Sequence, residues 1–256
     1  MSSWNRILRF DEVSSTNDLA KDMGKRGESE GLVVVAKRQT CGRGRMGRSW
    51  ISPPGGLYVS FLLRPPGSAE DALRLTVHAC VPVAKAIRQV TGLTPKLKWP
   101  NDVLIEGKKA AGILVEGVFK GGSLEMVVLG VGINVNTDVR ELPPDATSLS
   151  QEKNGVIDEE RMLSTLLLEI DSFYEKLKKD EVDEDEYKAM SCVLGRQIEA
   201  VVGRETFRGK ALYLQRDGAL IMKSDEGLVL RLAHVNETSI KVTKEEENDS
   251  KSLRKN

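Results

Sequence analysis

The stretch AGILVEGVFKGGSLEMVVLGVGINV at 111–135 decides the fold that we predict for this chain. Two apolar segments rich in β-branched residues flank the turn sequence Lys120-Gly121-Gly122-Ser123. Glycines between two such segments are typical of a β-hairpin. The stretch therefore predicts an antiparallel pair of strands within a larger sheet.

Further strands and helices are predicted on both sides of this hairpin. Short apolar runs predict strands at 31–39 and 56–64 and a strand that leads into LKWPND at 97–102. Helical periodicity predicts helices at 14–24, 69–91 and 157–179. The first has capping-box spacing at Ser15 and Asp18 and can end at Gly24, and the second is expected to bend near Pro82.

The chain changes character after about residue 192. The segments RQIEAVVG, ETFRGKALYLQ, GALIMKS and GLVLRLA are short strands between glycine and aspartate turns, which is typical of a small β-barrel. We therefore predict an α+β fold with a mixed, mainly antiparallel sheet at 1–191 and a small all-β domain at 192–243. The polar segment at 244–256 is predicted to be disordered.

Composition indicates a cytoplasmic globular protein. Forty per cent of the 256 residues are hydrophobic and thirty per cent are charged. No apolar run is long enough to span a membrane, and the N-terminus lacks a secretory signal. Cys41, Cys80 and Cys192 lie far apart, which favours free thiols over disulfides, and His78 and His234 are too few for a histidine metal site.

The charge is balanced overall, with 38 basic and 38 acidic residues, but it is not evenly spread. No acidic residue occurs between Gly31 and Ala69, where six basic residues lie: Lys37, Arg38, Arg43, Arg45, Arg48 and Arg64. A local basic region in a neutral protein favours a small-anion site over a nucleic-acid surface, and a solvated basic loop is the simpler interpretation.

The glycines of CGRGRMGRSW at 41–50 match the dinucleotide-binding pattern GxGxxG, but the context excludes that fold. That pattern requires a helix at the third glycine and an acidic residue about 20 positions later. Here RSWISPPGG follows, and its prolines and glycines cannot continue a helix. The chain also lacks a GxxxxGK[ST] phosphate loop.

What remains is an arginine–glycine loop, Gly42–Arg48, suited to an anionic ligand. Glycine lets the backbone approach a ligand, and arginine grips phosphate oxygens with a fork of donors. We expect the loop to be mobile without a ligand and to become ordered when one binds. Trp50 offers a flat face for stacking on a ring, or is a core residue.

Two further clusters carry polar or glycine residues at the ends of strands. The first is KWPND at 98–102 followed by GKKAAG at 107–112, which could also be only a polar turn. The second is GVGINV at 130–135, where two glycines inside an apolar strand indicate a close approach of backbone or ligand, or a bulge.

Together and in this order, SSTN, QTCGRGRMGRSW, KWPND, GKKAAGILVE and GVGINV resemble the biotin–protein ligase family. The resemblance runs from about residue 8 to about residue 242. It implies a catalytic domain like that of class II aminoacyl-tRNA synthetases and an SH3-like C-terminal barrel. Only about a dozen residues precede SSTN, so the chain is similar to the single-function class without a helix-turn-helix, and no DNA binding is expected.

The resemblance implies two half-reactions and assigns residues to them. Biotin and ATP give biotinyl-adenylate and pyrophosphate, and a lysine of an acceptor protein then attacks the mixed anhydride. Lys109 matches the position that bridges the biotin carboxylate and the α-phosphate, with Lys108 as its less favoured neighbour. Arg43 and Asp102 are the other predicted catalytic residues, and Asp102 is expected to support Mg²⁺ or the attacking amine.

The predicted ligand contacts follow from the same resemblance. Biotin is expected near Ser15, Thr16, Gln39, Gly42, Arg45, Lys109 and Gly112. ATP and the adenylate are expected near Arg43, Arg48, Trp50, Lys98, Asn101 and Asn134. Glu116 has no role that the sequence shows, a buried ion pair being the simple interpretation. Cys41 replaces an expected small residue and could make the loop sensitive to alkylation.

Other functions and partners stay open at this point. A lipoate–protein ligase or octanoyl transferase is the nearest alternative, an RNA-binding arginine–glycine element is another, and a biotin sensor without catalysis is a third. A biotin carboxyl carrier protein is the expected acceptor. The chain is expected to form a homodimer, for which the strand around 124–135 could provide a sheet edge, and to bind no membrane.

Overall fold

The computed structural model describes residues 4–65, 71–120, 123–233 and 238–243. The predicted disordered segment at 244–256 and His234 lie outside these residues. The strands of the first sheet are β1 Arg6–Val13, β2 Leu32–Gln39, β3 Leu57–Leu63, β4 Lys96–Lys98, β5 Asp102–Ile105, β6 Lys108–Lys120 and β7 Ser123–Ile133. The strands of the second are β8 Gln197–Val202, β9 Glu205–Leu214, β10 Leu220–Ser224, β11 Val229–Leu232 and β12 Thr238–Val242. The helices are α1 Thr16–Lys25, α2 Asp71–His78, α3 Cys80–Thr91, α4 Leu149–Lys153, α5 Glu159–Lys178 and α6 Glu184–Met190.

The first sheet has seven strands in the order β1-β2-β3-β7-β6-β5-β4. Only β1 and β2 are parallel, so the predicted mainly antiparallel sheet is confirmed. The predicted hairpin is confirmed as β6 and β7. The expectation that 124–135 forms a sheet edge is wrong, because β7 is hydrogen-bonded to β3 on one side and to β6 on the other.

Both faces of this sheet are covered, which explains why its strands are apolar runs without alternation. Along β2, Leu32 and Val34 pack in a small core with Ala20 of α1, while Val33 and Val35 face the main core with α3 and α5. Residues on opposite faces alternate along a strand, so a strand buried on both sides needs apolar residues at every position.

Helix α1 begins as predicted and ends one residue later than predicted. Ser15 is its N-cap and accepts a hydrogen bond from the backbone N–H of Asp18. Gly24 lies inside the helix, which continues to Lys25. A Cβ at Gly24 would lie 2.4 Å from the Met126 sulfur, so this glycine permits close packing of α1 on β7 and is not a terminator.

The helix predicted at 69–91 is two helices. Helix α2 ends at His78 and α3 begins at Cys80, with Ala79 between them. Pro82 lies in the first turn of α3, where its missing N–H would have no partner within the helix, so the chain breaks before the proline and α3 continues through it. The predicted helix at 157–179 is confirmed as α5.

The acidic segment near 180–187 contains the start of α6. Asp183 caps this helix, and Glu184, Asp185 and Glu186 occupy its first turn. Negative side chains at a helix N-terminus interact favourably with the helix dipole. The charge of this segment therefore suits a helix start.

The second sheet is antiparallel throughout, in the order β11-β10-β9-β8-β12. One continuous core joins it to the first sheet, since Ile198, Met222 and Ile240 belong to the same cluster as the interior of the larger sheet. The boundary between 191 and 192 stays a prediction. No helix among the described residues is long and apolar enough to cross a membrane.

Candidate functional site

A cavity of about 200 Å³ opens between α1, the arginine–glycine loop, the first sheet and β12. Twelve of the predicted site residues line it: Ser15, Thr16, Gln39, Arg43, Arg45, Arg48, Trp50, Lys98, Asn101, Asp102, Lys109 and Gly112. Residues separated by more than 90 positions therefore meet in one pocket. We call this cavity the pocket.

The arginine–glycine loop is a short hairpin that folds back on itself beside the pocket. The backbone N–H of Gly44 donates to the Arg48 carbonyl at 2.7 Å, and that of Trp50 donates to the Gly42 carbonyl at 2.9 Å. Met46 and Gly47 at its tip have φ of 58° and 67°, and such positive φ values favour glycine at the second of these positions. The chain continues in extended conformation, so the loop does not begin a helix.

Glycines on two neighbouring strands form the floor beneath Trp50. Gly112 of β6 and Gly132 of β7 are directly paired across the sheet. A Cβ at Gly112 would lie 2.9 Å from the Trp50 ring, and one at Gly132 would lie 2.6 Å from its Nε1. Because neither glycine has a side chain, the indole can lie flat against the sheet, and this close approach explains the glycines inside these apolar strands.

Lys109 lies above the same floor. Its Nζ is 5.1 Å from the centre of the Trp50 ring and 2.6 Å from a carboxylate oxygen of Asp102. The backbone of Lys109 is held by the segment near Ala146: its N–H donates to the Asp145 carbonyl, and its carbonyl accepts from Thr147 N–H, both at 2.9 Å. The ammonium group is thus placed by a fixed backbone, and the side chain reaches into the pocket.

A chain of hydroxyl and amide groups lines the other end of the floor. Gln39 Oε1 accepts from the Thr16 N–H at 2.8 Å and from its hydroxyl at 3.1 Å. Ser60 Oγ lies 2.8 Å from Thr16 Oγ1 and 2.6 Å from Asn17 Oδ1. These contacts fix neutral donors and acceptors side by side, which suits a polar, uncharged ring.

Glu116 joins this network to the arginine–glycine loop. Its carboxylate accepts from Asn17 Nδ2 at 2.9 Å, from Lys21 Nζ at 2.7 Å and from Arg43 Nη2 at 2.8 Å, and Arg43 also pairs with Asp18. Burial opposes ionisation of Glu116, but the hydrogen bonds from Lys21 and Asn17 outweigh it and lower its pKa. The sequence-based interpretation of Glu116 as part of a partly buried ion pair is confirmed.

Arg45 joins the loop to both sheets. Its Nη1 donates to Asn101 Oδ1 at 2.7 Å, and its Nη2 donates to the Thr238 carbonyl at 2.9 Å. Burial lowers the pKa of Arg45 below its usual range. Asn101 is itself fixed, because its Nδ2 donates to the Ile113 carbonyl at 2.7 Å.

Two predicted ligand residues do not line the pocket. Gly42, at the start of the loop, packs against the extended segment that leaves it, and a Cβ there would lie 2.3 Å from the Trp50 carbonyl oxygen. Asn134 is buried, and its Nδ2 donates to the Thr147 carbonyl at 3.0 Å. Its Oδ1 has no hydrogen-bond partner among the described residues. Adenine binding by Asn134 stays a prediction, and the structure places this residue as a support of the segment that holds Lys109.

Sequence reasoning missed several residues of the site. Asn17 belongs to the SSTN motif, so the sequence offered a signal for it. No such signal distinguished Lys21, Asp18 and Ser60 from ordinary helix and strand residues. Thr238 contributes a backbone carbonyl, which no residue type can signal. Cys80 is buried beneath the site, where burial raises the pKa of its thiol.

The side chains that the structure describes do not form a cluster of metal ligands. Among the described residues, no three His, Cys, Asp or Glu side chains come together as a metal site would need. Of the carboxylates in the described ranges, only Asp102 lines the pocket, and it is paired with Lys109.

Comparisons with known proteins give a consistent result. Residues 9–134 match the model of the biotin/lipoate A/B protein ligase family. The bifunctional ligase/repressor BirA of Bacillus subtilis is 34% identical over 233 residues, a match that covers 87% of this chain and 70% of the relative. The biotin–[acetyl-CoA-carboxylase] ligase of Paracoccus denitrificans is 32% identical and covers 84% of this chain and 93% of the relative.

A solved structure agrees with these sequence matches. The biotin protein ligase from Aquifex aeolicus in complex with biotin and ATP superposes with a TM-score of 0.80 at 31% identity, covering 93% of this chain and all of that one. The similarity therefore extends over both sheets, including the small C-terminal one.

Proposed function

Because this chain belongs to the biotin/lipoate A/B protein ligase family, we propose that its pocket joins biotin to ATP and passes the biotinyl group to a protein lysine. The chain is a biotin–protein ligase, an ATP-dependent enzyme with biotin and ATP as substrates. The observation that carries the placement of the reaction is the meeting of Lys109, Trp50 and the arginine–glycine loop over a floor of paired glycines.

The neutral end of the pocket suits the ureido ring of biotin. Thr16, Gln39 and Asn17 present fixed hydroxyl and amide groups there. A ureido ring has N–H donors and a carbonyl acceptor, so buried hydrogen-bonding partners would select it against an apolar ring. We assign the ring to this end and the valerate chain to the part of the pocket that leads from it towards Lys109.

The first half-reaction requires that two anions approach each other. A biotin carboxylate oxygen attacks the α-phosphorus of ATP, the new P–O bond forms, and the bond to the β-phosphate breaks with release of pyrophosphate. The Lys109 ammonium offsets the repulsion between carboxylate and phosphate and stabilises the charge that develops in the transition state. Asp102 holds that ammonium over the floor at 2.6 Å.

Arg48 is the arginine best placed to contact phosphate. It lines the pocket, it is exposed, and it forms no ion pair with any residue in the described part of the chain. Arg43 and Arg45 are both engaged by protein groups. Lys98 also lines the pocket and is proposed as a second phosphate contact.

In the second half-reaction, the acceptor lysine amine attacks the carbonyl carbon of the mixed anhydride, and AMP leaves with the bonding electron pair. The amine must lose a proton as the amide forms. In the part of the chain that the structure describes, no carboxylate other than Asp102 lines the pocket, so we propose that Asp102 accepts a hydrogen bond from the attacking amine.

Mg²⁺ is proposed to enter with the nucleotide. A single carboxylate that already pairs with an ammonium does not form a resident magnesium site, whereas ATP phosphates bind this ion directly. Asp102 as a magnesium ligand stays a prediction, and no step above depends on it.

The remaining partners are proposals of the same kind. We propose a lysine of a biotin carboxyl carrier protein as the acceptor, in keeping with the names of the relatives. The homodimer and the cytoplasmic location stay predictions.

The experiment that tests the function is mass measurement of an acceptor domain. The purified chain is incubated with ATP, Mg²⁺ and a biotin carrier domain, and with biotin or lipoate in separate reactions. We expect a mass gain equal to one biotinyl group with biotin alone. A gain on a lipoyl domain with lipoate, and none with biotin, would contradict the assignment.

A further inference from the structure

We propose that Glu116 and Asp18 are positioning residues that latch the arginine–glycine loop over the pocket by binding Arg43. On this view Arg43 serves to retain biotin, and it does so before any nucleotide is present. The proposal rests on the proposed function, because it concerns the retention of that substrate in that pocket.

Arg43 connects three elements: the arginine–glycine loop, helix α1 and strand β6. One terminal nitrogen of its guanidinium binds Asp18 in the first turn of α1, and the other lies 2.8 Å from Glu116 on β6. A guanidinium presents its donors in a rigid fork, so two carboxylates on different elements fix both its position and its orientation. The loop is thereby tied to the helix and to the sheet at once.

The carboxylate that anchors this clasp is itself held in place. Lys21 Nζ lies 2.7 Å from Glu116 Oε1, and Asn17 Nδ2 donates to Glu116 Oε2 at 2.9 Å. The side chain of Glu116 is only 15% exposed, so its charge is screened much less than a surface charge. These contacts fix Glu116 as a rigid point of attachment.

The charges of the cluster balance without any ligand. Two cations, Arg43 and Lys21, face two anions, Glu116 and Asp18. A phosphate that approached Arg43 would have to displace carboxylates that are already bound. The arrangement therefore favours a structural role for Arg43 and leaves the phosphate contacts to other cations of the pocket.

The latch stands at the biotin end of the floor. A Cβ at Gly130 would lie 2.2 Å from Asn17 Oδ1, whereas one at Gly132 would lie 2.6 Å from Trp50 Nε1. Two residues along a strand span roughly 7 Å, which separates the Asn17–Glu116 contact from the Trp50–Lys109 contact. Arg43 is therefore fixed beside the groups assigned to the ureido ring, away from the reacting carboxylate.

The test measures biotin release in the absence of ATP, because no phosphate is then present. Bound biotin is chased with excess unlabelled biotin, and its dissociation rate is followed for Arg43→Gln, Glu116→Gln and Asp18→Asn. We expect each variant to release biotin roughly 5- to 20-fold faster than the parent chain. The double variant Arg43→Gln/Glu116→Gln should be no faster than Arg43→Gln alone, because both changes break one clasp.

The matched control is Glu186→Gln. Glu186 forms a half-buried ion pair with Lys85 at 2.7 Å, between α6 and α3 and outside the pocket. Its loss should leave the biotin dissociation rate unchanged. Asp18 is partly exposed, so Asp18→Asn keeps the test valid if Glu116→Gln fails to fold.

Two results would overturn the latch. In the first, Asp18→Asn and Arg43→Gln release biotin at the rate of the parent chain, and Arg43→Gln has a raised KM for ATP. This result would make Arg43 a phosphate contact. The other is strict additivity in the double variant. Failure of the proposed function looks different, because the parent chain itself would then bind no biotin.

Discussion

The ion pairs of the pocket and those along the outer strand β1 use the same residue types at similar distances, but they stand in different surroundings. Lys21 and Glu116, which adjoin the pocket at Arg43, have side chains 18% and 15% exposed. Lys37 and Asp11 on the outer strands are 75% and 90% exposed. Both pairs have N–O distances close to 2.8 Å or shorter.

The two groups of ion pairs contribute differently to the protein because their exposure differs. Water and salt screen the outer pairs, so each contributes little to stability. In the pocket the screening is weaker, each charged group contacts several others, and the pairs fix functional side chains in position. The distance between two charges therefore says little without their exposure.

The largest expected effect is that of removing the pocket's ammonium group. Lys109→Ala should slow formation of biotinyl-adenylate about 100- to 1,000-fold, because the other cations proposed to contact substrate bind phosphate and do not bridge it to the biotin carboxylate. Release of pyrophosphate from biotin and ATP measures this step directly. The fold should persist, because the backbone contacts of Lys109 with Asp145 and Thr147 do not involve its side chain.

Lys108 is the matched control for that change. It is the exposed neighbour on the same strand, and it does not line the pocket. Lys108→Ala should keep the parent rate. Equal losses in the two variants would break the comparison, because exposure would then not distinguish the two lysines.

His78 is a titratable group that is almost wholly buried, in contrast to both groups of ion pairs. His78 lies near Tyr187 beneath α3 and α6, and burial, with the nearby charge of Arg74, lowers its pKa to about 4. The unfolded chain takes up this proton near pH 6.5, so below that pH the unfolded state binds more protons than the folded state. The neutral, buried His78 therefore contributes its whole share of the free energy of unfolding above pH 6.5, and this share is lost as the pH falls to about 4.

The free energy of unfolding should fall by about 3 kcal/mol between pH 6.5 and pH 4 because of His78. Urea unfolding of the parent chain and of His78→Gln at pH 7, 6, 5 and 4 measures it. The free energy of unfolding should fall less steeply with acidification in the variant. Parallel curves would show that His78 is not the group that resists protonation.

The glycine floor tests whether packing matters as much as charge in the pocket. Gly132→Ala places a methyl group 2.6 Å from Trp50 Nε1, which is too close for van der Waals contact, and should displace the indole at a cost of about 1–3 kcal/mol. Biotin binding should weaken, as measured by titration calorimetry. Gly155→Ala is the control, since a Cβ there meets nothing within 4 Å, and it should bind biotin like the parent chain.

The smallest expected effect belongs to the outer strand. Glu160 binds Arg9 of β1 through two hydrogen bonds, but both side chains are more than half exposed. Glu160→Gln should lower the free energy of unfolding by no more than about 1 kcal/mol, and by less in 1 M salt. A loss as large as that at a pocket residue would contradict the view that exposure decides the outcome.

Much of the fold and of the site could be predicted from local patterns. The β6–β7 hairpin, the strands of the first sheet, helix α5 and the Ser15 cap all follow from residues close to one another in sequence. Gly24 was misjudged because glycine ends helices and also permits close packing, and only the position of Met126 distinguishes the two. The place of β7 in the sheet was misjudged because an apolar strand does not reveal how many neighbours it has.

The strands, helices and motifs of this protein follow from local sequence, since propensity, capping and turn chemistry act between near neighbours. Which groups meet in space depends on the complete fold. Arg43 finds Glu116 across 73 positions, and Arg45 finds the Thr238 carbonyl across 193. Gly112 and Gly132 become one floor only because β6 and β7 pair in that register. Such contacts depend on the path of the whole chain, and no local pattern encodes the partner of a charged side chain.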